Sequence, residues 1–124
     1  MEAKSGIAKN ITKVAGKLEL MEPVSSVKDR IAYSMIKDAE EKGLISPGKS
    51  TLIEITSGNT GIGLASIAAS NGLQTYHRAE MLIFEATKGL EYILQQTKEL
   101  HERTPDSHFI RQFENLANPK ALYI

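Results

Sequence analysis

Thr51-Leu52-Ile53-Glu54-Ile55 runs into Thr56-Ser57-Gly58-Asn59-Thr60 and then into Gly61-Ile62-Gly63-Leu64-Ala65-Ser66-Ile67-Ala68-Ala69-Ser70. The first five residues are short, apolar and β-branched, the signature of a strand. The next five form a polar turn. The last ten, small and apolar without a single charge, predict a helix. A helix with no charged face is expected to be buried on both sides, between a sheet and a further layer. Strand, turn and helix in this order are the unit of an α/β protein.

Upstream, Val27, Ile31, Met35 and Ala39 recur every four positions with Ile36 beside them. That stripe predicts an amphipathic helix, with Ser25 or Ser26 as N-cap and Gly43 just past its end. Ser46-Pro47-Gly48-Lys49 is turn chemistry, and residues 15–20 read as a short strand. Downstream, residues 81–84 read as another strand. Leu90, Ile93, Leu94, Thr97 and Leu100 predict a second amphipathic helix stopped by Thr104-Pro105. Phe109 and Ile110 suggest a last strand before an Asn/Pro loop at 115–119. The alternation predicts a partial open parallel sheet flanked by helices.

The 124 residues suit one domain. Apolar residues at 41% and charged residues at 24% are the balance of a globular protein. Fifteen basic side chains offset 15 acidic ones, so no global field favours nucleic acid or an anionic membrane. There is no cysteine, which excludes disulfides and thiolate metal sites. No run reaches the roughly 18 apolar residues of a membrane helix, and the N-terminal residues read as neither signal nor transit peptide. A cytoplasmic location is expected.

Three places can carry chemistry. The Thr56–Gly61 turn joins a strand to a helix N-terminus, where free amides and the helix dipole favour an anion. Three hydroxyls (Thr56, Ser57, Thr60) and the Asn59 carboxamide surround it, and Gly58 and Gly61 allow close approach. The alternative is an ordinary turn with good capping residues. Lys28 stands in the first helical turn, where the dipole disfavours an ammonium ion and burial would favour a nucleophilic amine. The alternative is a solvated lysine compensated by Asp29. Gln112 follows a predicted strand and alone says little. His77, His101 and His108 show no metal spacing and read as surface residues, so no metal is expected.

Residues 21–45, from Met21-Glu22-Pro23-Val24-Ser25-Ser26-Val27-Lys28-Asp29-Arg30 onward, closely resemble plant-type O-acetylserine (thiol) lyase, or cysteine synthase. The likeness runs through Pro47-Gly48-Lys49-Ser50 and Thr56-Ser57-Gly58-Asn59-Thr60-Gly61 to about Gly72. It returns over Ala86-Thr87-Lys88-Gly89 and over Gln112-Phe113-Glu114-Asn115-Leu116-Ala117-Asn118-Pro119. The resemblance implies a fragment of the tryptophan synthase β-like fold that binds pyridoxal 5'-phosphate. It assigns Lys28 as the Schiff-base lysine and acid/base, and Asn59 as the partner of the cofactor's ring hydroxyl. Thr56, Ser57, Thr60 and Gln112 match the groups holding the substrate carboxylate. The implied reaction converts O-acetylserine and sulfide to cysteine and acetate. Related β-cyanoalanine synthase or cysteine desulfhydrase activity is the alternative. Implied partners are a second copy, full-length relatives or serine acetyltransferase.

The sequence also departs from that family. Residues 17–72 and 86–119 match it, whereas 10–16 and 73–85 bridge stretches that family members carry. The family's phosphate-gripping loop, and the serine facing the pyridine nitrogen, have no counterpart in these residues. Each lost charge-assisted hydrogen bond costs on the order of 2 kcal/mol. The expectation is therefore a shortened, single-domain relative with weak cofactor retention and no catalysis.

Overall fold

A computed structural model of the chain describes residues 16–70 and 86–123. Helix α1 (Lys28–Glu41) forms where the four-residue stripe predicted it, burying Ile31, Ala32, Met35, Ile36 and Ala39. Its C-terminus closes as the sequence suggested. Gly43 adopts φ 67°, its N–H donates to Glu40 C=O, and Leu44 N–H donates to Ala39 C=O. This double closure satisfies carbonyls that the last helical turn leaves free. The N-terminus of α1 differs in detail. Val27 occupies the cap position without a side-chain bond, Ser25 is left-handed at φ 62°, and Ser26 Oγ accepts the Lys28 N–H at 3.2 Å.

Residues 15–20 do not give the expected strand in their described part. Glu19–Met21 is a 3-10 turn. The Arg30 guanidinium accounts for it by binding Glu19 at 2.9 Å and also pairing with Glu22. Two carboxylates drawn to one cation from positions 19 and 22 favour a curled chain over an extended one.

Strand β1 (Thr51–Ile53) pairs in parallel with β2 (Ser107–Phe109), in the register Thr51↔Ser107, Leu52↔His108 and Ile53↔Phe109. Bonds from Thr51 N–H to Asp106 C=O and from Ile110 N–H to Ile53 C=O continue the ladder at either end. Parallel strands need a long crossover, and helices α2 (Asn59–Ser70) and α3 (Gly89–Arg103) lie between them in the chain. Strand β1 is shorter than the sequence suggested, because Glu54 and Ile55 turn out of the ladder toward the Gln112 segment, and β2 begins at Ser107 rather than at Phe109. The strand expected at 81–84 lies outside the described residues. The Asn/Pro loop contains a short helix, α4 (Ala117–Lys120). Pro119 is tolerated in its first turn, where an N–H has no intrahelical partner, and the Asn115 side chain accepts the Ala117 N–H at 3.0 Å.

The core lies where α1 meets α2 and α4: Ile31, Met35 and Ile36 pack with Ile45, Leu64, Ile110, Ala117 and Ala121. Helix α2 is not buried on both sides as its composition suggested. Thr60, Gly63 and Leu64 face inward, whereas Ile62 is 53% exposed. A single layer, α1, covers it among the described residues. The stripe of α3 is likewise only partly covered: Thr97 is buried, Ile93 and Leu100 are half-buried, and Leu90 is exposed.

Gly63 sets the spacing between α1 and α2. A Cβ there would lie 2.9 Å from the Lys28 carbonyl oxygen and 3.2 Å from Ala32 Cβ. Backbone cannot yield as a flexible side chain can. Gly63→Ala should therefore cost about 1–3 kcal/mol as an overpacked contact, despite alanine's better helix propensity. A lowered denaturation midpoint in urea would show it.

Candidate functional site

The C-terminal end of β1, the N-terminus of α2 and the turn after β2 converge. Residues 54–60 run from the strand into α2, whose first helical bond is Ile62 N–H to Gly58 C=O at 3.1 Å. The amides of residues 59–61 precede that bond and lack intrahelical acceptors. Thr56, Ser57, Gly58 and Asn59 are exposed. Thr56 Oγ1 accepts the Gly58 N–H at 3.2 Å, which holds the turn. Gly58 faces open space, in keeping with close approach by a ligand. Gly61 serves a different purpose, since a Cβ there would strike Thr56 Cγ2 at 2.9 Å.

Thr60 is buried, and its hydroxyl donates to Gln112 Oε1 at 2.6 Å. Gln112, also buried, donates from Nε2 to the Ile55 carbonyl at 3.0 Å, and its own carbonyl accepts from Asn118 Nδ2 at 2.6 Å. The fold thus joins two predicted site residues that stand 52 positions apart in sequence. The exposed Thr56 and Ser57 hydroxyls and the α2 amides leave this corner rich in hydrogen-bond donors, suited to an oxyanion.

Lys28 opens α1 and is half-buried, with its backbone carbonyl against Gly63 of α2. Asp29 does not compensate it. The Asp29 carboxylate, buried to 3% exposure, accepts the Val24 N–H at 2.6 Å and the Ser26 hydroxyl at 3.3 Å. It fixes the loop that leads into Lys28. Among the described residues Lys28 has no ion-pair partner.

Glu54 was not predicted. It is half-buried, with Oε1 accepting the Ile55 N–H and Oε2 the Gln112 N–H, each at 3.1 Å. Burial pushes its carboxyl from the ordinary 4.5 up to about 7, against the opposing pull of hydrogen bonds from Gln112, Ile55 and Arg111. The available signal was a lone acid in Leu52-Ile53-Glu54-Ile55. His108 is half-buried rather than superficial, and burial, then the charges of His101 and Arg111, lower its pKa. His101 is exposed and bonds Ser107 Oγ at 2.7 Å, and His77 lies outside the described residues. No group of metal-binding side chains occurs among the described residues, and no helix there is long and apolar enough to cross a membrane.

The sequence profile of the family described as pyridoxal-phosphate dependent enzyme matches residues 3–124. The chain belongs to this family. A cysteine synthase from Flavobacterium sp. is 43% identical over 121 residues, covering 84% of this chain and 39% of its own length. Cystathionine β-synthase from Saccharomyces cerevisiae is 39% identical over 131 residues, covering 89% of this chain and 26% of its own. The crystal structure of an O-acetylserine dependent cystathionine β-synthase from Helicobacter pylori superposes with TM-score 0.73 at 34% identity. That match covers 87% of this chain and 40% of the other. The fold-class expectation is borne out. The chain spans about two fifths of the length of the curated cysteine synthases it matches.

Two measurements check this geometry. Thr60→Val and Gln112→Ala should be non-additive, with a coupling of about 0.5–3 kcal/mol in a double-mutant cycle. The Glu54 carboxyl binds its proton more tightly in the folded chain than in the unfolded one. Its contribution is therefore fully present below pH 4.5 and is lost as pH rises through about 7. Glu54→Gln should flatten that part of the stability-versus-pH curve in urea titrations.

Proposed function

We propose that the chain carries the lysine and substrate-carboxylate side of a cysteine synthase-type site. Lys28 would hold pyridoxal phosphate through its amine, and Asn59 would meet the ring hydroxyl. Thr56, Ser57, Thr60 and Gln112 would receive the carboxylate of O-acetylserine. The observation that carries this reading is the buried Thr60–Gln112 bond at 2.6 Å beneath the exposed 56–59 turn.

The residues present suit the cofactor on chemical grounds. Lys28 is half-buried at the start of α1, packed against the helix that carries Thr60, and makes no ion pair among the described residues, so its amine is available to condense with an aldehyde. When bound, pyridoxal phosphate supplies an electron sink that eases loss of the substrate's α-proton and β-substituent. Lys28 would take and return that proton. The Thr60 hydroxyl and Gln112 carboxamide would orient the carboxylate, and sulfide would be the second substrate.

We further propose that this polypeptide, acting alone in the cytoplasm, does not turn over. Support comes from coverage: it spans about two fifths of its curated relatives, and by the resemblance the phosphate-gripping loop belongs to the remainder. Several missing backbone contacts would weaken cofactor binding by powers of ten. A second reading, a non-catalytic partner of longer relatives, is favoured by exposed Phe113, Leu116 and Tyr123 near the chain's C-terminal end. Co-purification with a full-length cysteine synthase would support it, and a clean monomer in the same mixture would count against it.

Titration with pyridoxal phosphate tests the main reading. A band near ~410 nm should appear only at cofactor concentrations roughly a hundredfold or more above the protein and be abolished by Lys28→Ala. O-acetylserine and sulfide should yield no cysteine. Tight binding with turnover would overturn the inactive reading, and a band retained in the variant would overturn the assignment of Lys28.

A further inference from the structure

We propose that Glu54 is a positioning residue for the Gln112 arm: its carboxyl ties the 111–115 turn to the end of β1 and so holds the Gln112 carboxamide on Thr60. Its relevance to substrate rests on the reading of Gln112 and Thr60 as carboxylate-holding groups. The tie itself rests on geometry alone.

Gln112 is held through every polar group it has. Its carboxamide bridges Thr60 and the Ile55 carbonyl, and its backbone carbonyl takes Asn118. Its backbone N–H goes to Glu54 Oε2. Of these four contacts, only the one to Glu54 involves an ionisable group. The turn also needs holding. Arg111, just before Gln112, sits at φ 55°, a left-handed conformation that a side chain disfavours. The Glu54 bond is made at the residue immediately after it. On the strand side, Glu54 Oε1 accepts the N–H of Ile55, whose carbonyl in turn receives Gln112 Nε2. One carboxyl therefore spans both edges of the corner.

The charged groups on segments packed around Glu54 are Arg111 and Glu114 of the turn and His108 of β2. Arg111 lies over the Phe109 ring at 5.4 Å and pairs with Glu114 at 3.7 Å. Helix α2 carries no charge over Asn59–Ser70. No cation among the described residues pairs with Glu54, so burial dominates and its carboxyl titrates at about 7. On ionisation the bond from the Gln112 N–H becomes charge-assisted and shortens. The corner is then gripped differently on the two sides of neutrality.

The experiment is two-dimensional amide NMR of the full 124-residue chain, uniformly labelled with nitrogen-15, from pH 5 to 9. The Gln112 backbone amide proton should move downfield with a midpoint near pH 7, and the Gln112 side-chain and Thr60 signals should follow with the same midpoint. In Glu54→Gln this titration should be lost, while that of His108 persists. The wild-type titration needs no variant to fold. A Gln112 amide that is flat across the range, or one that still titrates in Glu54→Gln, overturns the proposal. Adding O-acetylserine to the cofactor-supplemented wild type separates the two ideas. Shifts at Thr56, Ser57 and Gln112 support the carboxylate site. Their absence with the pH coupling intact overturns that site and supports the tie alone.

Discussion

Helices α1 and α2 approach so closely at position 63 that the Lys28 carbonyl occupies the space where a side chain would stand. Much of the architecture follows from that contact. It brings Leu64 onto Ile31, Ala32 and Met35 and so closes the core. It also fixes the first turn of α1, with its lysine, relative to the helix that carries Thr60. A larger residue would separate a potential amine nucleophile from the donor-rich turn. In this small fold, packing and site geometry are the same constraint.

A second constraint is polar. The parallel pair β1–β2 is only three residues long on each side, and ladder bonds alone hold such a ribbon weakly. Beyond its C-terminal end, the Gln112 carboxamide and the Glu54 carboxyl continue the connection with side-chain bonds. Buried polar groups are costly unless satisfied, and among the described residues every buried side-chain nitrogen or oxygen has a partner. The same groups that stabilise the corner leave hydroxyls and amides facing outward at residues 56–59. A donor-rich corner thus arises from ordinary hydrogen-bond satisfaction beside a helix N-terminus.

The profile match and a TM-score of 0.73 establish the family and fold. Exposed Phe113, Leu116 and Tyr123, together with the partly covered stripe of α3, give the described residues an apolar surface beside the site.

Much of this was legible in the sequence. The four-residue stripe of α1, its stop at Gly43, the uncharged helix after the Thr56–Gly61 turn and the α/β alternation follow from local periodicity, which needs no tertiary information. The Thr56–Gly61 turn and Lys28 stand out by their places at helix N-termini, but the roles of Lys28, Asn59, Thr56, Ser57, Thr60 and Gln112 came from resemblance, because no local rule singles out a glutamine after a strand. Only the tertiary structure decided that Thr60 and Gln112 bond to each other, that Asp29 serves the Val24–Ser26 loop rather than Lys28, and that Arg30 curls residues 19–21. It alone gave Glu54 a role. Periodicity reports which face of an element is apolar. The partner of a buried polar group depends instead on which distant backbone amide the fold brings within about 3 Å, and that is set only when the strands and helices have packed.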